Sequence, residues 1–600
     1  MTLSKRDRVY TLVGILLALF LGALDQTIVS TALPKIAEDL RGLDRFTWVA
    51  TAYLLASTVL VPIYGKLADT YPRKIIELIA ISIFLAGSFL CGLSGEFGSL
   101  PLLGDGMTQL ILFRALQGVG GAGLFSLAFI IIADLFPPNV RGRYQGLLGA
   151  TFGIASVVGP WVGGLLTDYG SNIIPGIEGW RWVFYVNVPF SALALWFIVR
   201  RMPQLQPGGE RAPLDGLSAV FLVLGLVPLV LGLQLDKQDY PWAGTVTLSL
   251  LGTSLIFLIL FVLRSLVSSK PILDMRLFQD RVFSLSNLAV LLLGAAFLAT
   301  IIFLPLYMVN VVGVSATRAG VSLIPLSLGL VFGAIVAGQL VSSFGRYRLL
   351  MLIGGAILFV GLWLLSSMTA EVPYWRVTLY MVICGLGIGP SLPLYTLAIQ
   401  NAVEVQKLGQ ATSTVQFFRQ IGGTVGAAVM GTVFATSLAT SFDSFSTAGV
   451  VPGEVVLFNS EELAATGGAD VGARIRTSFE TQFEAVSAAV RAGDEVALRR
   501  ALEASPMPAL AQTPALQQDR QIQGADRMAA FLDQQRALFD QEAANLIESI
   551  TGQIREAFNA AITLIFRYLI WVVIAGWLVT IPIPVLSLRT TNDVVAVAID

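Results

Sequence analysis

Fourteen apolar stretches divide this chain, each near the ~20 residues that a bilayer requires of a helix. They fall at roughly 10–31, 46–64, 75–95, 108–134, 142–167, 181–200, 214–234, 243–265, 283–310, 317–343, 348–368, 374–400, 409–437 and 559–587. The first is too long for the apolar region of a secretory signal and lacks a small-x-small cleavage site, so it is expected to remain as a helix. One polar segment, roughly 438–558, interrupts the alternation between the last two stretches. The pattern predicts an all-α integral membrane protein with fourteen transmembrane helices and an extracytoplasmic helical insertion between helices 13 and 14.

Orientation follows from the cations. With the N-terminus inside, nineteen Lys and Arg fall in cytoplasmic segments against seven in the outer loops. That asymmetry predicts cytoplasmic termini in the cell (inner) membrane. The insertion then lies outside, with nine Arg and 17 Asp and Glu, a net charge of 9 − 17 = −8. Phe479, Phe483, Val486 and Val490 recur at helical spacing, as do Met528, Phe531, Leu532, Phe539, Leu546, Ile550 and Ile554. Two amphipathic helices are expected, the second running without a turn signal into the last membrane helix as one rod of roughly 60 residues. Either a solvated cap or a surface for an extracytoplasmic partner fits residues 438–558.

Composition narrows the function. The chain is 55% hydrophobic and 13% charged, against about 25% charged for soluble domains. Its net charge of −1 and the lack of a basic stripe point away from nucleic acid. Cys91 and Cys384 both fall in apolar stretches and there is no His, so neither a disulfide framework nor a metal site is expected. The missing His and the lack of a nucleophile–base pair also argue against an enzyme. Asp25 stands out, because it sits inside the first apolar stretch while Asp69, Glu77, Asp134, Asp168 and Asp215 lie at or near the ends of theirs. A carboxylate at membrane depth costs ~2.5–3.5 kcal/mol on insertion scales and usually faces a cavity. If the protein moves protons, Asp25 is the expected carrier.

Four segments carry a family resemblance: LDQTIVSTALPKI (24–36), GKLADTYPRK (65–74), RALQGVGGAG (114–123) and GPWVGG (159–164), with WRWVFYVNVP (180–189) opening the sixth stretch. In this order they resemble the major facilitator superfamily, specifically its 14-span drug:proton antiporters. The resemblance covers the membrane stretches but not the insertion. It implies two six-helix bundles that rock around a central cavity, with helices 7 and 8 as an extra pair. The expected domains are 1–201 (N-terminal bundle), 202–270 (inner linker and extra pair), 271–437 (first five helices of the C-terminal bundle), 438–558 (insertion), and 559–600 (last helix and tail).

Arg114 lies at the same depth as Asp25 on a helix that the resemblance places beside it, making a proton-coupling pair or a static ion pair. Gly65, Asp69, Arg73, Asp134, Arg141 and Arg143 resemble the family's inner latch, which stabilises the outward-open state. Asp69 and Arg73 pair one turn apart if that stretch is helical, although Pro72 stands where the family has Gly. Gly159, Pro160, Gly163 and Gly164 match the antiporter helix bend, or plain tight packing. Gln117, Asn287, Gln416 and Arg419 are candidates for a substrate cavity. The expected activity is proton-coupled export of lipophilic or cationic drugs by a monomer, with no cofactor beyond the proton gradient. Export of lipids or lipoconjugates through the insertion, and a non-transporting sensor or scaffold, remain as alternatives.

Overall fold

The computed structural model describes residues 4–42, 45–101, 103–174, 176–205, 214–235, 237, 239–314, 321–447 and 525–591, with parts of 476–488. Fourteen helices among them are long and apolar enough to cross a membrane. The first six are α1 (Lys5–Asp39), α2 (Phe46–Thr70), α3 (Arg73–Gly92), α4 (Gly106–Leu135), α5 (Pro138–Tyr169) and α6 (Gly179–Arg201). Next come α7 (Gly216–Gln234), α8 (Thr245–Val267), α9 (Arg281–Asn310), α10 (Ile324–Phe344) and α11 (Tyr347–Ser366). Last are α12 (Tyr374–Ala402), α13 (Leu408–Thr447) and α14 (Ala525–Thr580).

Chains of this hydropathy have no water partner for their backbone groups in lipid, so each span closes its own hydrogen bonds as a helix. Aspartates start three of them: Asp105, Asp215 and Asp280 accept from the amides of Thr108, Ser218 and Phe283. Such caps satisfy amides that the first helical turn leaves open. Hydrogen bonds from Arg45 and Thr108 hold the Asp105 carboxyl well below the usual range. At Asp215 burial pushes the carboxyl up, but bonds from Ser268, Arg264 and Ser218 outweigh it and bring it down to about 2.

Several boundaries differ from the hydropathy reading, and two of the differences have a visible physical reason. α1 continues past the apolar stretch to Asp39, because Lys35 pairs with Glu38 at 3.0 Å and Asp39 at 3.2 Å along its last turn. α12 breaks into Tyr374–Ile388 and Ser391–Ala402 around Gly389 and Pro390, where a proline removes a backbone donor.

In the first bundle α4 packs on α2 and α3, and α1 packs on α5 and α6. In the second, α9 packs on α13 and α14, while α12 packs on α10 and α11. α7 and α8 pair with each other, and α7 touches α2 and α13. The bundles join along α5–α10 and α2–α13. With an even number of crossings both chain ends lie on one face, called the terminal face below. The last helix is continuous over 56 residues, about 84 Å at 1.5 Å per residue, as the proline-free pattern predicts. Arg536 on this helix lies 5.7 Å from the ring of Phe483, which sets part of the 476–488 stretch against it. The side chains of Phe479, Val486, Val490, Phe531, Leu532, Phe539 and Leu546 lie outside the described residues, as does most of the insertion.

Candidate functional site

Asp25 and Arg114 meet as their depths predict. Asp25 is fully buried on α1, and Arg114 on α4 donates from Nη1 to its Oδ2. Two amides complete the carboxylate's shell. Gln117 Nε2 donates to Oδ1 at 2.8 Å, and Asn187 Nδ2 donates to the same oxygen at 3.2 Å. Gln117 lies one turn beyond Arg114 on α4 and also accepts from its Nη1 at 2.8 Å. The Arg114 guanidinium sits 4.4 Å from the ring centroid of Tyr53 and donates to the Val49 carbonyl, both on α2. Asn187 is steadied by a bond to Ser88 Oγ at 3.0 Å. Four helices and the opening of α6 therefore converge on one carboxylate. Breaking such a buried pair by removing one partner costs about 3–5 kcal/mol. Asn187 was not singled out from the sequence, although it sits in the WRWVFYVNVP segment.

The latch residues gather at the terminal face, with two corrections. Asp69 and Arg73 do not share a helix. α2 ends at Thr70, Tyr71 is extended, and Arg73 opens α3 after Pro72, so the 3.8 Å contact spans a turn. Arg143 is exposed, and its backbone amide donates to Ser342 Oγ on α10 rather than its side chain joining the cluster. The rest converges. Arg73 Nε donates to Asp134 at 2.9 Å. Asp69 reaches across the bundles and accepts from the amides of Gly409 and Gln410 at 2.7 and 2.8 Å, at the start of α13. A carboxylate there also faces the positive end of the helix dipole. Gly65 makes that approach feasible, since a β-carbon on it would lie 2.7 Å from the Gly409 carbonyl oxygen.

Arg141 closes the end of α4 by donating to the carbonyls of Ala133 and Phe136, and reaches Gln400 Oε1 at 3.3 Å. Gln400 on α12 is a hub. It accepts from Gln145 at 2.7 Å and donates to Thr412 Oγ1 and the Phe129 carbonyl. The tail after α14 straps the same face. Arg589 donates to the carbonyls of Gln400 and Val403, its amide donates to Asn401, and its own carbonyl accepts from the Asn139 amide of the other bundle. Nearby, Asp274 accepts from Lys407 at 2.9 Å. Burial pushes the Asp274 carboxyl up, but the bonds from Lys407 and the Arg276 amide prevail and hold it below its usual value. The joining contacts extend up to Thr58–Gln420 at 2.8 Å and to Gly153 against Ser327 and Val331, near mid-helix.

Gly159 and Gly163 face α1, where a β-carbon on Gly163 would lie 2.6 Å from the Ile28 carbonyl oxygen. Gly164 has nothing within 4 Å, and Pro160 lies inside α5. The four cavity candidates do not line one chamber in this arrangement. Gln117 belongs to the Asp25 shell. Asn287 is buried and donates to the Phe283 carbonyl of its own helix. Gln416 and Arg419 bond to each other at 2.7 Å. Arg419 borders a hollow of about 10 Å³ with Phe297 and Leu392, room for about one water. Among the described residues no group of Asp, Glu, Cys and His could hold a metal ion.

Paired helical bundles, a buried charge pair and a polar cluster shared between the bundles describe a multi-pass membrane protein. A profile of the Major Facilitator Superfamily matches residues 15–427. The multidrug transporter protein MdtP of Bacillus subtilis (strain 168) is 38% identical over 432 residues, covering 72% of this chain and 75% of that protein. Multidrug resistance protein 3 of the same organism is 37% identical over 432 residues, covering 72% of this chain and 80% of that protein. The human organic anion transporter MFSD10 (TETRAN) shares the fold at a TM-score of 0.52 and 16% identity, covering 71% of this chain and 94% of that one. The chain belongs to the major facilitator superfamily.

Proposed function

We propose that this protein is a proton-coupled antiporter of the cell (inner) membrane, with cytoplasmic termini, that exports lipophilic or cationic drugs by alternating access. The observation that carries the reading is the fully buried Asp25 with its three donors, Arg114, Gln117 and Asn187. Those donors stabilise the ionised carboxylate without water. A proton on Asp25 removes the charge that Arg114 neutralises, so the guanidinium loses its counter-ion and the helices around it lose a tether. With the terminal face cytoplasmic, the present arrangement is closed inward, the half of the cycle in which drug leaves and a proton enters. Coupling requires only that drug and proton favour opposite charge states of Asp25. The similarity to two multidrug transporters supports the drug class.

The decisive experiment is a pH jump across proteoliposomes loaded with a dye substrate. Asp25→Asn is expected to abolish gradient-driven accumulation while the protein stays folded. Full active transport by that variant would sink the assignment. A second reading, lipid or lipoconjugate export, has one observation in its favour. A cleft of about 630 Å³ opens between α13, α14 and the α7–α8 loop, lined by Trp242, Thr432, Thr436, Leu564 and Tyr568. Its volume falls in the ~300–1,000 Å³ range of ligand sites. Selective loss of lipid export on replacing Thr436 with Phe would favour that reading.

A further inference from the structure

A second carboxylic acid inside a membrane helix takes no part in the coupling site. Glu77 on α3 is fully buried, and both its carboxyl oxygens lack a hydrogen-bond partner. One turn toward the terminal face, Arg73 is only 2% exposed. It serves Asp134 through Nε and Asp69 through Nη2, but its Nη1 is buried without a partner. Residues four apart on a helix are neighbours, with Cβ atoms ~5–6 Å apart. An acid with two unused acceptors and a cation with one unused donor therefore sit within reach and unpaired.

The surroundings explain why. α4 brings Asp134, and α2 brings Tyr64, Lys66 and Asp69, to this end of α3. The side of α6 brings Arg200 and Arg201 at the surface, where Lys74 binds the Val199 carbonyl. Asp69 and Asp134 hold Arg73 in this arrangement. An ionised Glu77 would then be a buried charge with no donor, far more costly than a neutral carboxyl. Parting the bundles at this face would separate Asp69 from the amides of Gly409 and Gln410 and admit water to Arg73.

Building on the alternating-access reading, we propose that Glu77 is a second proton-binding site, filled from the cytoplasm when the inner gate closes and emptied to it when the gate opens. On opening, the Glu77 O–H bond breaks, the proton passes to cytoplasmic water, and the carboxylate accepts a hydrogen bond from Arg73 Nη1. On closing, a cytoplasmic proton returns. No charge crosses the membrane in this exchange, so Glu77 makes the gate sensitive to cytoplasmic pH without altering the drug-to-proton ratio set by Asp25.

The test uses full-length protein in nanodiscs, with spin labels at the exposed positions Tyr71 and Phe344 on opposite sides of the gate. In wild type the open-to-closed ratio is expected to rise about tenfold per pH unit over the range where the proton leaves. In the Asp25→Asn background, where the coupling carboxyl is gone, Glu77→Gln, which matches the protonated carboxyl in shape, is expected to remain closed with no pH dependence. Glu77→Asp keeps a titrating group and is expected to restore the dependence. Asp25→Asn is expected to leave the response intact, which separates this proposal from the coupling reading. A double variant Asp25→Asn, Glu77→Gln that still responds to pH, or an Asp25→Asn variant that no longer responds, would overturn it. An infrared spectrum supplies a second readout: the closed protein is expected to show a protonated-carboxyl band that Glu77→Gln lacks, and identical spectra would also overturn it.

Discussion

Asp69→Asn tests the inner gate at its smallest contact. The carboxylate accepts the amides of Gly409 and Gln410 at 2.7 and 2.8 Å, where α13 presents unpaired donors. Hydrogen bonds to a charged group contribute about 1.5–3 kcal/mol each, and a charge at a helix end up to ~2 kcal/mol. Asparagine keeps one acceptor oxygen in place, so about half of this holding energy is lost, roughly 2–3 kcal/mol. At 1.4 kcal/mol per factor of ten, the inward-open population relative to the closed one rises ~30- to 150-fold. Electron–electron distance measurements between labels at Tyr71 and Phe344 read that ratio directly, after replacement of the buried Cys91 and Cys384. A long-distance population should appear in the variant without drug or gradient. An unchanged distribution would mean that Asp69 is equally well satisfied in both states, and the latch account would fail.

Three further outcomes follow from the same geometry. Arg114→Lys keeps the charge but loses the planar fork that serves Asp25, Gln117 and the Val49 carbonyl together, so dye export is expected to fall at least ~10-fold. Gly163→Ala forces a β-carbon toward the Ile28 carbonyl, and a loss of about 1–3 kcal/mol should lower the unfolding temperature, whereas Gly164→Ala, with open space around it, should change nothing. Because the Asp274 carboxyl is held below its usual value, its pairing with Lys407 stabilises the protein above that range and the benefit is lost as pH falls through the lower folded value. Asp274→Asn should therefore unfold at a lower temperature than wild type at pH 7, with the two curves converging below about pH 4.

The membrane helices were legible because bilayer length and hydropathy leave so little choice, and the Asp25–Arg114 pair because both residues could be placed at one depth. Gln117 could have been added from spacing alone, since it lies three residues beyond Arg114 and so on the same helical face. Asn187 could not, because α6 opens in the short pieces Gly179–Arg181 and Trp182–Tyr185 before the long run from Asn187, and they share no single helical period. The Asp69–Arg73 pair forms as the spacing allows, but across the break at Tyr71 and Pro72 rather than along one helix. Glu77 looked peripheral when counted from the end of an apolar stretch. It is buried because α3 starts beneath the gate, a fact that depends on how α2 and α4 pack. The strap through Arg589 joins residues hundreds of positions apart, and no local pattern encodes that.

The strap also ties closure to biosynthesis. The first bundle is complete once α6 has emerged, at Arg201, yet the Asn139 amide waits for the Arg589 carbonyl. The interval is 589 − 201 = 388 residues, about 20–80 s at the ~5–20 residues per second of translation. Throughout that time the terminal-face ends of the two bundles lack the last bonds that fasten them. A newly made molecule therefore spends its early life with its bundles unfastened at that face. Fastening waits until α14 itself has been made, because the strap follows it in the chain. The joint thus reports, by closing, that the last helix is in place.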